Sequence, residues 1–139
     1  MTIRIERIDA RRQDAMADLV RPMAEPSVAK DFAYSPIFLG LGLVDEAGVD
    51  GGIFAQIYWD WMVVENIAVP LRWRGRGLGR RLMEEAEAIA RQKGCKGAWV
   101  STYSRQAPEF YRHVGFEVFG RLPSYPGDQE RLFLSKLFR

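Results

Sequence analysis

The run Arg74-Gly75-Arg76-Gly77-Leu78-Gly79 supplies the two things a phosphate asks of a protein, close backbone approach and positive charge. Alternating glycines let the chain bend sharply beside an anion, and a helix opening at Leu78 would aim its first free amides at it. Arg72, Arg80 and Arg81 enlarge the field of Arg74 and Arg76. The plain alternative is a tight strand-to-helix turn with a solvated, arginine-rich surface. It is the weaker reading, because three glycines are a costly way to make a turn and five crowded arginines repel one another without an anion.

Spacing separates three phosphate-binding designs. A mononucleotide loop, G-x-x-x-x-G-K-[ST], would need a glycine five places after Gly75, where Arg80 stands. A dinucleotide fingerprint would need a glycine at position 80 and an acidic residue about twenty positions on, and both are lacking. The third design is Arg or Gln, two residues, Gly, one residue, then Gly or Ala, and Arg74, Gly77 and Gly79 fill it.

With that motif the chain resembles the GCN5-related N-acetyltransferase (GNAT) family. Ile67-Ala68-Val69-Pro70 before the turn, Leu82 after it, and Phe110-Tyr111-Arg112-His113-Val114-Gly115-Phe116 downstream are similar to the family in the expected order. The resemblance covers roughly residues 50 to 137 well, and the first third only through its order of elements. It implies acetyl-CoA as co-substrate, with no metal, and transfer of the acetyl group to a primary amine by direct attack in a ternary complex. Gly75, Arg76, Leu78 and Arg80 would join Arg74, Gly77 and Gly79 around the pyrophosphate. Backbone groups of Ile67, Ala68 and Val69 would hold pantetheine as an extra pseudo-strand. Ser104 stands where the family often has an asparagine, so that contact to pantetheine is open, with Gln106 as another donor.

Acyl transfer to an amine needs a neutral nucleophile, proximity, donors for an oxyanion and a proton for the departing thiolate. By resemblance, Tyr111 is the general acid. Phenol and thiol have ordinary pKa values of about 10 and 8.5, near enough for transfer either way. A packed core tyrosine between Phe110 and Phe116 is the alternative. Glu65 is the leading general base and Asp60 the second candidate, while an ion pair with an arginine is an equally good use of Glu65. By alternation Glu65 shares a face with Ile67 unless a bulge intervenes. His113 reads as a helix-surface residue and Cys95 as a small packed one.

These residues need a frame. Ile3 and Ile5 alternate with polar neighbours in Thr2 to Arg7, which predicts a half-buried first strand, and Asp9 is placed to cap a helix from Ala10 to Arg21. Residues 24–36 fit a short helix or a loop. Ile37 to Val44 and Gly51 to Trp59, with turn chemistry between them, predict a hairpin. Trp61 to Val69 predicts a buried strand ended by Pro70. Leu78, Leu82, Met83, Ala86, Ile89 and Ala90 form one helical face stopped at Gly94, and Gly97 to Thr102 is the next strand, giving a right-handed parallel crossover. A short helix from Pro108 to about Val114 and strands at Phe116 to Leu122 and Arg131 to Leu137 follow. The expected fold is one α/β (α+β) domain over 1–139, GNAT-like, with a mixed, mostly antiparallel twisted sheet of six to seven strands. Its central pair is parallel and about four helices flank it.

Composition bounds the partners. Twenty Lys plus Arg nearly balance 18 Asp plus Glu, so the overall field gives no reason to expect nucleic acid. One cysteine and one histidine make a metal site a poor expectation. The charged N-terminus lacks a signal-peptide core and no apolar run reaches membrane-span length, so a cytoplasmic protein is expected. A homodimer is compatible with such a domain. Phe32, Tyr34 and Phe38, Trp59 and Trp61, and the Pro123-Ser124-Tyr125-Pro126 segment suggest a partly aromatic acceptor site. Without an acidic run to attract a polybasic acceptor, a small-molecule amine is preferred, with a protein N-terminus as rival. The reading from another class is a non-catalytic module holding CoA or another anion.

Overall fold

The alternating apolar residues of the central segment do what their period asks, forming strands whose inward side chains meet one amphipathic helix. A computed structural model describes residues 2–24, 35–106 and 108–139. The chain divides into two units, Met1–Tyr34 and Ser35–Arg139.

In the first unit, helix α1 runs Gln13–Val20 and a single turn of 3-10 helix follows at Arg21–Ala24. The predicted strand over Thr2 to Arg7 does not form: these residues are exposed and have no ladder partner among the described residues. Alternation alone cannot make a strand, because its backbone groups need a second strand to bond. Asp9 is not the cap either. Its carboxylate accepts from the Arg11 amide and guanidinium, and the residue preceding the helix is Arg12, which makes no side-chain capping bond. Phe32, Tyr34 and most of the ambiguous 24–36 segment lie outside the described residues.

The second unit holds six strands: β1 Ile37–Asp45, β2 Gly48–Tyr58, β3 Trp61–Ala68, β4 Gly97–Tyr103, β5 Glu117–Leu122 and β6 Arg131–Leu137. Their order across the sheet is β1-β2-β3-β4-β6-β5. Only β3 and β4 are parallel, joined by helix α2, Leu78–Gln92, and the other neighbours are antiparallel. Helix α3, Pro108–His113, links β4 to β5. This is the expected mixed sheet with a central parallel pair, with three α-helices among the described residues.

Leu82, Met83, Ala86 and Ala90 of α2 are buried against Ile53, Ala55 and Ile57 of β2, Met62 and Val64 of β3, and Val100 of β4. Each large side chain so buried contributes about 1.5–3 kcal/mol. Cys95 packs here as a small residue, as its position after the Gly94 stop suggested. Gly94, at φ 84°, takes the left-handed conformation that lets the chain leave the helix and enter β4 at once.

Two irregularities interrupt the middle of the sheet. The β3–β4 ladder runs from Trp61/Gly97 only to Val64/Val100, so the later residues of both strands are not paired with each other. At the same level β3 carries a bulge: Phe54 opposes Asn66 while Ala55 opposes Val64, leaving Glu65 as the extra residue. Such an insertion bends the strand and re-aims its side chains.

Candidate active site

The turn after β3 has the conformation its glycines require. Gly75 and Gly77 have φ 80° and 75°, and a Cβ on either would meet nothing within 4 Å, so the backbone angle rather than space demands glycine. Gly77 immediately precedes α2 and makes no side-chain cap. The first helical bond runs from the Arg81 amide to the Gly77 carbonyl, at 3.1 Å. The amides of Leu78, Gly79 and Arg80 therefore precede any intrahelical acceptor and face outward at the positive end of the helix dipole. Gly79 has a different reason: a Cβ there would lie 3.0 Å from the Phe110 ring, so only glycine lets α3 sit this close.

The arginines divide by role. Arg74 donates to the Val69 carbonyl at 3.0 Å, which closes the turn, and Arg80 donates to the carbonyl of His113 at 3.0 Å. Arg72 pairs with Asp50 and lies over Trp73.

A cleft of about 760 Å³ begins at this turn and continues into the gap where β3 and β4 part. Gly75, Gly77, Leu78, Gly79 and Arg80 line its rim beside Arg74, Ile67, Ala68 and Val69 one wall, and Ser101, Thr102 and Gln106 the other. Phe110, Tyr111, His113 and Val114 of the α3 region close one side, and Glu65 and Asn66 also line it. Arg76 is exposed and lines no part of it. The cleft thus brings together the predicted coenzyme and catalytic residues except Arg76, Ser104 and the second candidate base, Asp60. Ser104 is occupied elsewhere, its amide and hydroxyl exchanging bonds with the Glu130 backbone at 2.9 and 3.1 Å. Gln106 lines the cleft, its Oε1 accepting from the Thr102 hydroxyl at 3.1 Å.

Tyr111 and Glu65 belong to opposite faces of the sheet. Tyr111 is 9% exposed and packs with Phe116 and the core beneath α2. Burial pushes its phenol above the usual tyrosine range, because the phenolate would lose water without gaining a cation. Glu65 accepts a hydrogen bond from Gln56 at 3.2 Å. Gln56 points away from buried Ala55 and Ile57, so the bulge has carried Glu65 to the face opposite Ile67, whose partner Ile53 is in the core. No arginine pairs with it among the described residues.

Asp60 lies at the closed end of the parallel pair. Its carbonyl accepts from the Lys96 amide at 2.7 Å and its carboxylate pairs with Lys96 at 2.9 Å. That hydrogen bond holds the carboxyl below its ordinary range. Trp59 and Trp61 line a different depression at this same end, of about 730 Å³, with Trp99, Phe119 and Phe133. Tyr125 does reach the open end, its ring stacked 6.4 Å from that of Tyr103 at the end of β4. Beside it lies Arg131, a residue that no motif or spacing singles out. Its guanidinium donates to the Ser101 hydroxyl at 2.8 and 3.2 Å, a contact between strands thirty residues apart that arises only once β4 and β6 are in register.

The mixed sheet is split along its parallel pair, with the first amides of α2 at the rim of the split, an arrangement with room and donors for an extended anionic ligand. An acetyltransferase (GNAT) domain matches residues 40–118, more than half of the chain, and the chain belongs to that family. It is 43% identical over 77 residues to blasticidin-S acetyltransferase of Streptomyces morookaense, covering 55% of this chain and 57% of that one. It is 33% identical over 94 residues to an acetyltransferase of Agrobacterium fabrum, covering 68% of this chain and 69% of the relative. The aligned part thus spans little more than half of the first relative's length. In three dimensions the chain is similar to an acetyltransferase crystal structure from Agrobacterium tumefaciens, with TM-score 0.78, 25% identity, and 99% and 100% of the two chains covered. No helix among the described residues is long and apolar enough to cross a membrane.

Proposed function

We propose that this chain transfers the acetyl group of acetyl-CoA to a primary amine on a small molecule. The observation that carries this reading is the gap beyond Val64/Val100, with free helix amides at its rim, Tyr111 on one face and Glu65 on the other.

The pyrophosphate sits on the amides from Gly75 to Arg80, where the helix dipole favours negative charge. Pantetheine lies along the unpaired edge of β3 beside Ile67, Ala68 and Val69, and the thioester reaches the level of Glu65. The amine arrives from the Gln56 face as the free base, and its nitrogen lone pair forms the bond to the carbonyl carbon. Glu65 accepts, directly or through water, the one proton the nitrogen sheds as that bond forms. Backbone amides near Ile67 and Val69 hold the oxyanion, and the C–S bond breaks with its electron pair on sulfur.

Tyr111 remains protonated and donates a hydrogen bond to that thiolate. Because burial raises the phenol, full proton transfer to sulfur is less favourable than the ordinary values suggest, so its part is mainly stabilisation of the leaving group. Small-molecule acceptors are favoured because the blasticidin-S relative is named for one.

Calorimetry with acetyl-CoA, followed by thiol release across an amine panel, tests the proposal. Saturable binding and amine-dependent release are expected. No binding at millimolar coenzyme would overturn the reading, and binding without acetylation would leave a coenzyme-holding module in its place.

A further inference from the structure

Arg131 stands at the start of β6 directly opposite Tyr103 of β4, and its neighbour on the same face, Phe133, opposes Ser101. Directly opposed residues of an antiparallel pair share a face. Ser101 lines the cleft, and the guanidinium bonded to its hydroxyl stands next to the cleft, one residue outside its lining. Three rings surround that guanidinium, Tyr103 at 5.9 Å, Tyr125 at 5.6 Å and Phe133 at 5.4 Å.

The charge arrangement around it is uneven. Arg105 pairs with Asp128 at 2.6 Å and Arg121 with Glu130 at 3.5 Å, so the acids of the β5–β6 connection are engaged by other arginines. Arg131 is half-buried and has no carboxylate partner among the described residues, although a guanidinium offers five N–H donors and one serine oxygen accepts only two of them. The rings stabilise a cation without neutralising it. A half-buried fork with unused donors, held in place beside the cleft by Ser101, matches the planar geometry of a carboxylate.

We propose that Arg131 is the acceptor's anchor: the guanidinium bonded to Ser101 beside the cleft takes a carboxylate carried by the amine substrate. The inference rests on the acetyltransferase reading for where the amine lies. Paired strands are about 4.8 Å apart, so β3 and β6, either side of β4, stand roughly 10 Å apart at Val64/Val100 and further apart beyond it, where Glu65 lies. Side chains reaching inward from Glu65 and Arg131 span part of that width, which suits an amine and a carboxylate several bonds apart. Tyr103 and Tyr125 wall the space beside the carboxylate and favour flat or apolar substituents.

The test uses matched amines that differ by a carboxylate: L-phenylalanine and phenethylamine, L-lysine and cadaverine, 4-aminobutyrate and propylamine. Binding to CoA-loaded protein is read by calorimetry, and kcat/KM by thiol release from acetyl-CoA. The carboxylated member of at least one pair should be preferred, and Arg131→Gln should reduce that preference on the order of tenfold to a hundredfold. Arg131→Lys, which keeps the charge but loses the planar fork, should restore part of it, and it serves if the glutamine variant does not fold. CoA affinity should be the same in all three proteins.

Equal response to both members of every pair, absence of any response included, overturns the proposal. So does a preference that survives Arg131→Gln. A loss of CoA affinity in that variant without loss of preference would assign Arg131 to the donor side and overturn it equally. If the protein binds no CoA, the acetyltransferase reading has failed instead, and calorimetry of the unloaded protein with the same pairs decides the carboxylate site separately.

Discussion

A methyl group on Gly79 would stand 3.0 Å from Cε1 of Phe110, so the first turn of α2 and the short helix α3 meet with no room for a side chain. The contact fixes the distance between the turn's amides and the helix that carries Tyr111. Gly79→Ala should therefore push Phe110 aside by a few tenths of an ångström, lowering stability by about 1–3 kcal/mol and weakening acetyl-CoA binding. Gly77→Ala has open space but places a Cβ at φ 75°, with a cost of about 1–2 kcal/mol carried by the turn itself. Urea unfolding and calorimetry on both variants check this. Unchanged values for Gly79→Ala would mean that the helices are not held by this contact.

Tyr111→Phe removes one hydroxyl and leaves the ring packed. Turnover should fall roughly tenfold to a hundredfold, the loss of one hydrogen bond to a charged leaving group, with little change in CoA affinity. Stability gives a second readout. The folded phenol titrates above its ordinary value of 10.0, so the unfolded chain ionises first. This group's contribution is intact below about pH 10 and is lost as pH rises from there through the folded value. Cys95, also raised by burial from 9.0, acts with the same sign and is present in both proteins. The phenylalanine variant should show a shallower alkaline fall in urea midpoint, and an identical slope would place Tyr111 in water.

The β3-α2-β4 crossover was legible because its signals are local: an apolar run ended by Pro70, one helical face, and Gly94 at the stop. The bulge at Glu65 was not, since Trp61 to Val69 contains no glycine or proline to mark it, and strict alternation would have placed Glu65 with Ile67. Asp60 stood second to Glu65 because the strand from Trp99 to Tyr103 carries no carboxylate, but β3 runs away from Asp60 toward the open end. Arg131 and Ser101 meet through strand register, which no short window carries. Thr2 to Arg7 has the period of a strand, but a ladder also needs a partner, and the described residues hold none for it.

The hydrogen bond from Gln56 holds Glu65 on the side of the gap away from Tyr111. If that carboxylate takes the amine's proton, Glu65→Gln should flatten the acidic limb of the kcat/KM profile and leave CoA binding as it was. Gln56→Leu keeps the carboxylate but removes its donor, so the limb should persist while the rate falls a fewfold, about the worth of one hydrogen bond near 1 kcal/mol. Rate–pH profiles of both variants with one amine decide it. A glutamine variant with the parent's profile would move the base to water or another carboxylate.

Lys136 ties the sheet to the helix that carries Tyr111. Its ammonium donates to Glu87 of α2 at 3.0 Å and to the Val114 carbonyl, just past α3, at 2.9 Å. Glu87 is 7% exposed, and its Oε1 has no hydrogen-bond partner among the described residues. Lys136→Met would leave a buried carboxylate with no cation and a freed carbonyl beside the Tyr111 helix. The expected cost is about 3–5 kcal/mol, since the uncompensated charge weighs more than the lost pair. Adding Glu87→Leu should recover most of it, because two apolar side chains of similar volume need no partner. The freed Val114 carbonyl remains in the double variant, so its turnover should stay below wild type even where stability returns. Urea unfolding of the single and double variants measures the first effect and thiol release the second. Recovery of both together would show that the lysine acts on stability alone.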